Sequence, residues 1–275
     1  MTEQRRSRTD RVDALLAAGP PLEYGEWALD RASMEVVLAE VAAGRRRVAE
    51  CGSGVSTILI ARLLREFGAG QVFALEHSAG WAQRIRARIV SEGLAAYVSV
   101  IDAPLERDPL APPGCRWYRR SALARLPSRE IEMLLVDGPP ATHAEIERAR
   151  YPALPLLCAR LARGALVILD DAGRSGESWV LWRWERELGL RFQLRSERVA
   201  AATVGSTAVA RSAVVRASAP LRSAAAALRP RGRARAQRGV RSSSPAPRSS
   251  RSRSSSRWRS SGSPSSSRNP IVPGQ

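Results

Sequence analysis

The amino-acid sequence predicts an α/β protein, built on a mostly parallel sheet that helices cover on both faces. Apolar strands alternate with helical segments from about residue 44 to residue 189, as in parallel sheets. The helical segments carry apolar residues at three- and four-residue spacing, for example "ASMEVVLAEVAA" at residues 32–43. The last two predicted strands follow each other without a helix, which predicts an antiparallel hairpin at one edge.

The predicted strands share a dense apolar composition, and in chain order they are "RRVAEC", "QVFALE", "YVSVIDAP", "IEMLLVDG", "ALVILDD", "RFQLRSERVA" and "STAVARSAV". Four helices are predicted between them: "STILIARLLREFG", "SAGWAQRIRARIVSEG", "HAEIERARYPALPLLCARLARG" and "ESWVLWRWERELG". Ser78 is the expected N-cap of the second helix and Gly93 its stop. Pro152 and Pro155 should kink or divide the third.

The charge is concentrated at the carboxyl-terminal end of the chain. The 275 residues carry a net charge of +18, and all 44 basic residues are arginine. Residues 211–275 contain 15 arginines and no acidic residue, so the remainder is nearly neutral. We predict three regions: an N-terminal arm and helix (1–43), a folded domain (44–215) and a disordered Arg/Ser/Pro-rich tail (216–275). The tail either binds polyanions without sequence specificity or is a solvated low-complexity segment.

The composition favours a soluble cytoplasmic protein. The three cysteines are far apart and lack metal-ligand spacing, which fits a reducing compartment. The charged N-terminus has no apolar core of a signal peptide, and no apolar stretch reaches the ~20 residues of a membrane span. We therefore expect no membrane contact, while the oligomeric state stays open.

The stretch "VAECGSGVST" at residues 48–57 places Glu50 before a glycine turn. Gly52 and Gly54 allow a tight turn and a close approach of ligand to backbone. A dinucleotide-binding turn has a third glycine where this chain has Thr57, and Glu50 would repel a pyrophosphate. A cationic, phosphate-free ligand such as S-adenosylmethionine fits better. Glu76, 22 residues beyond Gly54, ends the next strand and can accept both ribose hydroxyls.

Four motifs in order, "AECGSGVST", "ALEHS", "LLVDGPP" and "LVILDDA", resemble those of class I S-adenosylmethionine-dependent methyltransferases. The similarity is greatest to a bacterial group of small-molecule methyltransferases and runs from about Leu22 to Val209. It implies a doubly wound, seven-stranded Rossmann-like sheet with an antiparallel last strand. It also implies a set of cofactor contacts: Glu50, Gly52, Gly54, Ser56, Thr57, Glu76 on the ribose, Asp102 and Ala103 near the adenine, and Asp137 beside the methyl-transfer centre.

Three carboxylates should converge at the ends of two neighbouring strands. Asp137 ends one, and Asp170 and Asp171 end the next. A divalent cation such as Mg²⁺ would relieve their repulsion, as in the catechol methyltransferase type, although Asp171 stands where that type has Asn. Alternatively, Asp137 contacts cofactor or substrate, and Asp170 or Asp171 caps a turn or pairs with an arginine such as Arg174.

Other side chains have open roles. His143 is a candidate general base or an exposed residue in a first helical turn, and His77 is expected beside the ribose or adenine edge. Trp81 either lines the adenine pocket or belongs to the core. The sequence also suggests a lid or a packing anchor from Tyr24 and Trp27, and core packing for three tryptophans at 179, 182 and 184.

The sequence thus predicts an S-adenosylmethionine-dependent methyltransferase that acts on a small molecule, at oxygen, with catalytic contributions from Asp137 and His143. Two alternatives are weighed. One is an RNA or protein methyltransferase guided by the basic tail, and the other is a non-catalytic nucleic-acid-binding protein.

Overall fold

The computed structural model of the protein describes residues 11–22 and 28–227. Its centre is a seven-stranded sheet with the strand order β3-β2-β1-β6-β7-β9-β8. The strands are β1 (Arg47–Cys51), β2 (Gln71–Glu76), β3 (Val98–Asp102), β6 (Ile131–Val136), β7 (Leu161–Leu169), β8 (Gln193–Leu194) and β9 (Ala200–Thr203), and a separate hairpin pairs β4 (Leu105–Glu106) with β5 (Trp117–Tyr118).

Helices cover both faces of this sheet. They are α1 (residues 11–17), α2 (Arg31–Ala42), α3 (Val55–Phe67), α4 (Ala79–Ser91), α5 (Arg120–Leu123), α6 (Ala153–Leu157), α7 (Ser175–Leu188) and α8 (Ser206–Ala227), with a 3-10 turn at Cys158–Arg160. Among the residues that the structure describes, no helix combines the length and the apolar character needed to cross a bilayer.

The sheet has the mixed pairing that the sequence predicts. Strands β3, β2, β1, β6 and β7 are parallel, and β9 and β8 form the antiparallel edge. The predicted α/β class with a doubly wound, Rossmann-like sheet is therefore confirmed. Because parallel strands all end at the same edge, Glu50, Glu76 and Asp137 come together there.

Alternating side chains of the central strands build two cores. Ala49 and Cys51 face the side covered by α6, α7 and α8. Val48 faces the side covered by α1, α2 and α3. At about 25 cal/mol per Å² of buried apolar surface, such two-sided burial supplies the main driving force for a parallel sheet.

Several helix ends lie where the sequence predicts them. Ser78 caps α4 by accepting a hydrogen bond from the backbone N–H of Trp81 at 3.4 Å. Gly68 ends α3 in the left-handed conformation, with φ of +65°, and Gly189 ends α7 with φ of +71°. Both glycines occupy a backbone region that side chains disfavour.

The predicted long helix at residues 143–164 is wrong. Residues 144–152 form turns, α6 is one short helix, and β7 already begins at Leu161. Pro152 stands at the N-cap of α6, where its missing N–H costs nothing, and it cannot continue a helix from the preceding side.

The segment "STAVARSAV" is also mispredicted as a strand, because it begins α8. Ala208, Ser212, Val215 and Ala219 are buried at helical spacing, and β9 pairs with β7 and β8 in its place. The helix continues to Ala227, past residue 216, where the sequence predicts a disordered tail. Residues 228–275 lie outside the described residues, so the remainder of the tail prediction stays a prediction.

The three tryptophans of α7 divide between core and surface. Trp184 is fully buried against Leu188 one turn later. Trp179 is partly buried, and Trp182 is 51% exposed. The expected core role is therefore right for Trp184 and wrong for Trp182, because the buried face runs through positions 180, 184 and 188.

A buried arginine fastens the N-terminal segment to the domain. Arg62 on α3 has no exposed surface and pairs with Glu92 through Nε at 2.7 Å and Nη2 at 2.9 Å. Its Nη1 donates to the carbonyl of Leu15 at 2.7 Å, and Nη2 donates to that of Pro20 at 3.1 Å. These contacts connect α1 to α3 and to the end of α4.

We expect Arg62→Met to lower the free energy of unfolding by about 3–5 kcal/mol, because it leaves Glu92 buried without its principal partner. Urea denaturation followed by circular dichroism measures this change. Arg84→Met, at an exposed position of α4, is the matched control and should stay within about 0.5 kcal/mol of the parent protein. Equal stability of the two variants would contradict the anchoring role.

Candidate functional site

The carboxyl edge of the sheet opens into a cavity of about 360 Å³. Its walls come from the β1–α3 turn, the end of β2, the start of α4, and the segments after β6 and β7. Ala28 and Leu29, just before α2, close one side. The cavity therefore lies where open α/β sheets bind their ligands.

Glu50 is buried in the wall of this cavity, at 1% exposure. Thr57 Oγ1 donates a hydrogen bond to its Oε2 at 2.6 Å, and its Oε1 has no hydrogen-bond partner among the described residues. Burial raises the pKa of Glu50 to about 7, although the hydroxyls of Thr57 and Ser56 act in the opposite direction. A buried carboxylate oxygen without a partner is costly, and a cationic ligand would satisfy it.

The glycine turn after β1 is open to a ligand. Gly52 has φ of +101°, which a side chain would strain. Gly54 has extended backbone, but a Cβ there would meet no atom within 4 Å, so its bare backbone borders open space. Ser56 lines the cavity, whereas Thr57 lies beneath it and receives a hydrogen bond from the Gly54 N–H at 3.0 Å.

Glu76 ends β2 inside the cavity and is held by several donors. Ser53 donates to its Oε2 through its backbone N–H at 3.0 Å and its hydroxyl at 2.7 Å, and Ser78 N–H donates to Oε1 at 2.8 Å. Burial alone would raise the pKa of Glu76, but hydrogen bonds from His77, Ser78 and Ser53 lower it overall. His77 Nδ1 lies 3.2 Å from Oε1 and lines the cavity beside it.

Trp81 lies at the mouth of the cavity and not in the core. Its side chain is 39% exposed, and its indole Nε1 donates to the Ser53 carbonyl at 2.7 Å. This bond fixes the ring next to Glu76 and presents an aromatic face to the opening. Of the two interpretations of Trp81, the structure places it in the pocket.

Two predicted adenine contacts lie outside the cavity lining. Asp102 is exposed and pairs with Arg86 at 2.8 Å. Ala103 is fully buried, and its N–H donates to the Glu76 carbonyl at 2.7 Å. Their role in cofactor binding therefore remains a prediction, and Ala103 supports the site through the main chain of β2.

The three aspartates converge as predicted. Asp137, Asp170 and Asp171 each offer a carboxylate oxygen within 4.8 Å of the others. Burial raises the pKa of Asp137 well above its ordinary value; Arg150 opposes this shift, and Asp170 and Asp171 add to it. Burial likewise raises the pKa of Asp170.

Arg150, which the sequence analysis did not identify, lies between these carboxylates at 4% exposure. Its Nη2 is 3.5 Å from Asp137 Oδ1 and 3.3 Å from Asp171 Oδ2. Its guanidinium also donates to the carbonyls of Asp137 at 2.9 Å and Asp170 at 3.0 Å, and Nη1 is 3.5 Å from Glu177 Oε1.

Two more arginines complete the cluster from the cavity side. Arg198 Nη2 contacts Asp170 Oδ2 at 3.1 Å and also pairs with Asp171 Oδ1. Arg174 Nη1 pairs with Asp171 Oδ2 at 2.7 Å. The alternative in which Asp171 pairs with Arg174 is therefore realised, and Arg174 N–H also donates to the Asp171 carbonyl at 2.8 Å in a turn.

This donor set does not fit a bound Mg²⁺. Oxygen ligands of Mg²⁺ must face the ion at about 2.0–2.1 Å in an octahedral arrangement. Here Arg150 Nη2 lies between Asp137 and Asp171, and Arg198 bridges Asp170 and Asp171. The guanidinium groups already supply the positive charge that a cation would bring, so no step of the reaction is assigned to a metal.

His143 is not brought into the cavity. It is exposed, lies outside the lining, and its carbonyl accepts from Ile146 N–H at 2.8 Å in the turns before α6. His143 is exposed, as the alternative interpretation expected, but the helix whose first turn it was to occupy is not formed. Its role as a base remains a prediction. Tyr24 and Trp27, the suggested lid or anchor, lie outside the described residues.

Tyr118 is a further wall residue that the sequence did not single out. It is fully buried on β5, borders the cavity, and its hydroxyl has no hydrogen-bond partner among the described residues. A Cβ at Gly138 would lie 2.5 Å from this hydroxyl, which explains the glycine after Asp137. The sequence contains an aromatic pair, "WY" in "CRWYRRSAL", but no pattern there indicates that Tyr118 borders the cavity.

One family model matches part of the chain. Residues 49–172 match a family model described as a methyltransferase domain. This segment runs from the end of β1 to the turn after β7 and contains Glu50, Glu76, Asp137 and the acidic cluster. The resemblance to class I S-adenosylmethionine-dependent methyltransferases is thereby confirmed.

Solved structures with a similar arrangement include three bacterial methyltransferases. The O-methyltransferase TomG from Streptomyces achromogenes, involved in tomaymycin synthesis and solved with S-adenosylmethionine, is 17% identical, with 74% of this chain and 100% of that chain covered and a TM-score of 0.46. An O-methyltransferase from Bacillus cereus, solved with S-adenosylhomocysteine, is 16% identical, covering 72% and 90% with a TM-score of 0.44. A methyltransferase from Geobacter sulfurreducens is 17% identical, covering 72% and 96% with a TM-score of 0.45. No curated protein matches the chain.

The raised pKa of Glu50 predicts how the stability of the protein depends on pH. Since the folded protein retains this proton up to about pH 7, ionisation above the unfolded-state pKa of 4.5 costs folding free energy as the pH rises. We expect Glu50→Gln to remove that cost, so its stability relative to the parent increases by up to about 3 kcal/mol between pH 4.5 and about pH 8. Urea denaturation at a series of pH values measures the difference.

Glu66→Gln, at an exposed position of α3, is the control and should show a flat difference. Asp170 and Glu177 also have raised pKa values, but they are common to both proteins and cancel. The charge of Glu50 contributes to the raised pKa of Asp137, so its removal eases the ionisation of Asp137 and acts in the same direction as the expected difference. A Glu50→Gln difference that does not change with pH would show that Glu50 is ionised throughout.

Proposed function

We propose that the protein is an S-adenosylmethionine-dependent methyltransferase that methylates a small-molecule acceptor at oxygen. The observation that carries this proposal is the unpartnered carboxylate oxygen of Glu50, buried in the cavity wall before the open glycine turn. The match of residues 49–172 to a methyltransferase domain supports the same assignment.

The cavity suits the two halves of this cofactor. Glu50 offers negative charge to the cationic amino-acid half, next to the bare backbone of Gly52 and Gly54. Glu76, whose pKa is lowered, is an ionised acceptor for ribose hydroxyls. Trp81 offers an aromatic face on the same side for a base. Such a ligand carries no phosphate and needs no phosphate-binding group. The carboxylates of Glu50 and Glu76 would repel a phosphate.

The protein's part in the reaction is mainly to orient and desolvate the reactants. S-adenosylmethionine, when bound, supplies an electrophilic methyl group on a sulfonium. Holding an acceptor oxygen in line with that group can contribute about 7–11 kcal/mol of barrier lowering. Asp137, at the end of β6 and lining the cavity, is placed to contact the reactants. Burial raises its pKa, which makes it a stronger proton acceptor than an exposed aspartate.

A small acceptor is favoured by the size of the cavity. At about 360 Å³ it lies at the low end of the roughly 300–1,000 Å³ of small-ligand sites. That volume must also hold the cofactor, so only the reacting part of a small molecule fits beside it. The assignment of oxygen as the methylated atom is consistent with the O-methyltransferases among the similar structures and is tested by product analysis.

The alternatives that involve the basic tail gain no support from the described residues. The arginine-rich segment at 211–275 lies mostly outside them. Polyanion binding by this segment, and guidance to an RNA or protein acceptor, remain predictions. A non-catalytic role as a nucleic-acid-binding protein is disfavoured, because the buried acids of an intact ligand site are retained.

Binding of S-adenosylhomocysteine tests the cofactor assignment. We expect the full-length protein to bind it, and Glu76→Gln to weaken the binding about 10-fold or more, since hydrogen bonds to a charged group contribute about 1.5–3 kcal/mol. Isothermal titration calorimetry measures both affinities. Glu66→Gln is the control for the loss of one surface charge, and NAD is the control ligand. Tight NAD binding without S-adenosylhomocysteine binding would overturn the assignment.

The affinity should also depend on pH through Glu50. A cationic ligand favours the ionised carboxylate, so binding should strengthen as the pH rises through about 7, the pKa of free Glu50. Glu50→Gln should bind more weakly and lose this dependence. Calorimetric titrations of the parent protein and of Glu50→Gln with S-adenosylhomocysteine, between about pH 6 and pH 8, measure both pH dependences. An identical pH dependence in both proteins would show that Glu50 does not face the ligand charge.

A further inference from the structure

Arg150 is the one cation buried in the centre of the acidic cluster, among the residues that the structure describes. Four carboxyl groups surround it, on Asp137, Asp170, Asp171 and Glu177. In the parallel sheet the ends of β6 and β7 are neighbours, which brings the three aspartates together, and Glu177 joins them from the first turn of α7. A positively charged group must lie among them, because unpaired buried carboxylates destabilise one another.

The guanidinium of Arg150 is fixed by main-chain as well as side-chain contacts. It donates to the carbonyls of Asp137 at 2.9 Å and Asp170 at 3.0 Å, the residues that end β6 and β7. Its Nη2 reaches oxygens of both Asp137 and Asp171, at 3.5 and 3.3 Å. The side chain is 4% exposed, so it cannot swing into solvent and leave the carboxylates to another cation.

The charge of the cluster is nearly balanced without any ion. Four carboxyl groups face three guanidinium groups, since Arg198 and Arg174 pair with Asp170 and Asp171 from the cavity side. A divalent cation would have to displace Arg150 from a buried position or bind against it. Arginine keeps its charge at every accessible pH and matches carboxylates with several donors at once.

We propose that the Arg150 guanidinium occupies the place that a divalent cation takes in metal-dependent methyltransferases, and that it positions Asp137 and Asp171 at the cavity without a metal. Arg150 is a positioning residue in this scheme, because its N–H groups contact the acids and not the reactants. The inference deepens the proposed function, and its test measures metal binding and thermal stability, so the two can fail separately.

The test compares the parent protein with Arg150→Met and Arg150→Lys, using Mn²⁺ as a paramagnetic probe. We expect the parent and Arg150→Lys, which keeps a cation at the cluster, to bind no Mn²⁺ at millimolar concentration. Arg150→Met leaves three aspartates with oxygens within 4.8 Å of one another, and the partners that remain, Arg174 and Arg198, are 47% and 36% exposed, so an ion can displace them toward solvent. It should therefore acquire a site with a dissociation constant of about 10⁻⁴–10⁻³ M, as in weak oxygen-ligand sites. Electron paramagnetic resonance of free Mn²⁺ measures this binding.

Thermal unfolding gives the second measurement. Arg150→Met should lower the melting temperature by on the order of 10 °C, and Mn²⁺ or Mg²⁺ should restore part of the loss. Arg62→Met is the matched control, because Arg62 is an equally buried arginine paired with Glu92. It should be destabilised without rescue by either ion. Adding Asp171→Asn to Arg150→Met should abolish the rescue and locate the ion at the cluster.

Binding of Mn²⁺ by the parent protein, removed by Asp171→Asn, would overturn the proposal directly. This measurement needs no Arg150 variant, so it decides the matter even if Arg150→Met fails to fold. Failure of a folded Arg150→Met to bind or respond to divalent cations would also overturn it. Absence of S-adenosylhomocysteine binding to the parent, by contrast, would count against the proposed function alone.

Discussion

The balance between four carboxyl groups, three of them buried and one half-buried, and the guanidinium of Arg150 is the interaction on which the ligand edge of the sheet depends. The parallel pairing of β6 with β7 brings Asp137, Asp170 and Asp171 to one place. Leaving any of them buried and unpaired would cost several kcal/mol. Arg150 removes that cost and, through its bonds to main-chain carbonyls of both strand ends, also fixes the spacing of the strands where the cavity begins.

The opposite half of the cavity follows a different electrostatic rule. Glu76 is ionised and surrounded by donors from Ser53, Ser78 and His77. Glu50 is buried with one oxygen unsatisfied. Glu76 is therefore an acceptor for hydrogen bonds from a ligand, and a positively charged ligand would stabilise the unsatisfied carboxylate of Glu50. A single sheet edge therefore carries the hydrogen-bonded carboxylate of Glu76, the partly unsatisfied carboxylate of Glu50 and a cluster of aspartates neutralised by arginine.

Most of the fold could be predicted from the sequence because its signals were local. The apolar run of β2 and the caps at Ser78 and Gly68 depend on neighbouring residues only. The errors arose where tertiary contacts decide. "STAVARSAV" suits a strand by composition, but β9 and β8 complete the sheet beside β7, and the buried positions of this segment follow a helical period. The proline-containing stretch before β7 lacks a regular period, so its turns could not be distinguished from a kinked helix.

The same distinction between local sequence signals and tertiary contacts applies to the site. Glu50, the glycines and Glu76 were predictable because they follow strands in one motif each. Arg150 was not, because it is one arginine among 44, and only the packing of the turns before α6 places it at the strand ends. Tyr118 likewise enters the cavity wall through the β4–β5 hairpin, which no sequence pattern indicated. The convergence of the aspartates was predictable from topology, but the identity of their counter-charge was not.

Ala28 and Leu29 stand outside the matched methyltransferase segment, yet they close one side of the cavity. Leu29 also belongs to the core that α2 and α3 cover, so this short piece of chain links the hydrophobic core to the ligand edge. A chain shortened to start at α2 would therefore lose part of its binding wall together with the buried residues Val12, Leu15 and Leu29. In this protein the capacity to fold and the capacity to enclose a ligand therefore share residues, so a change at Leu29 that reshapes the cavity also changes the core.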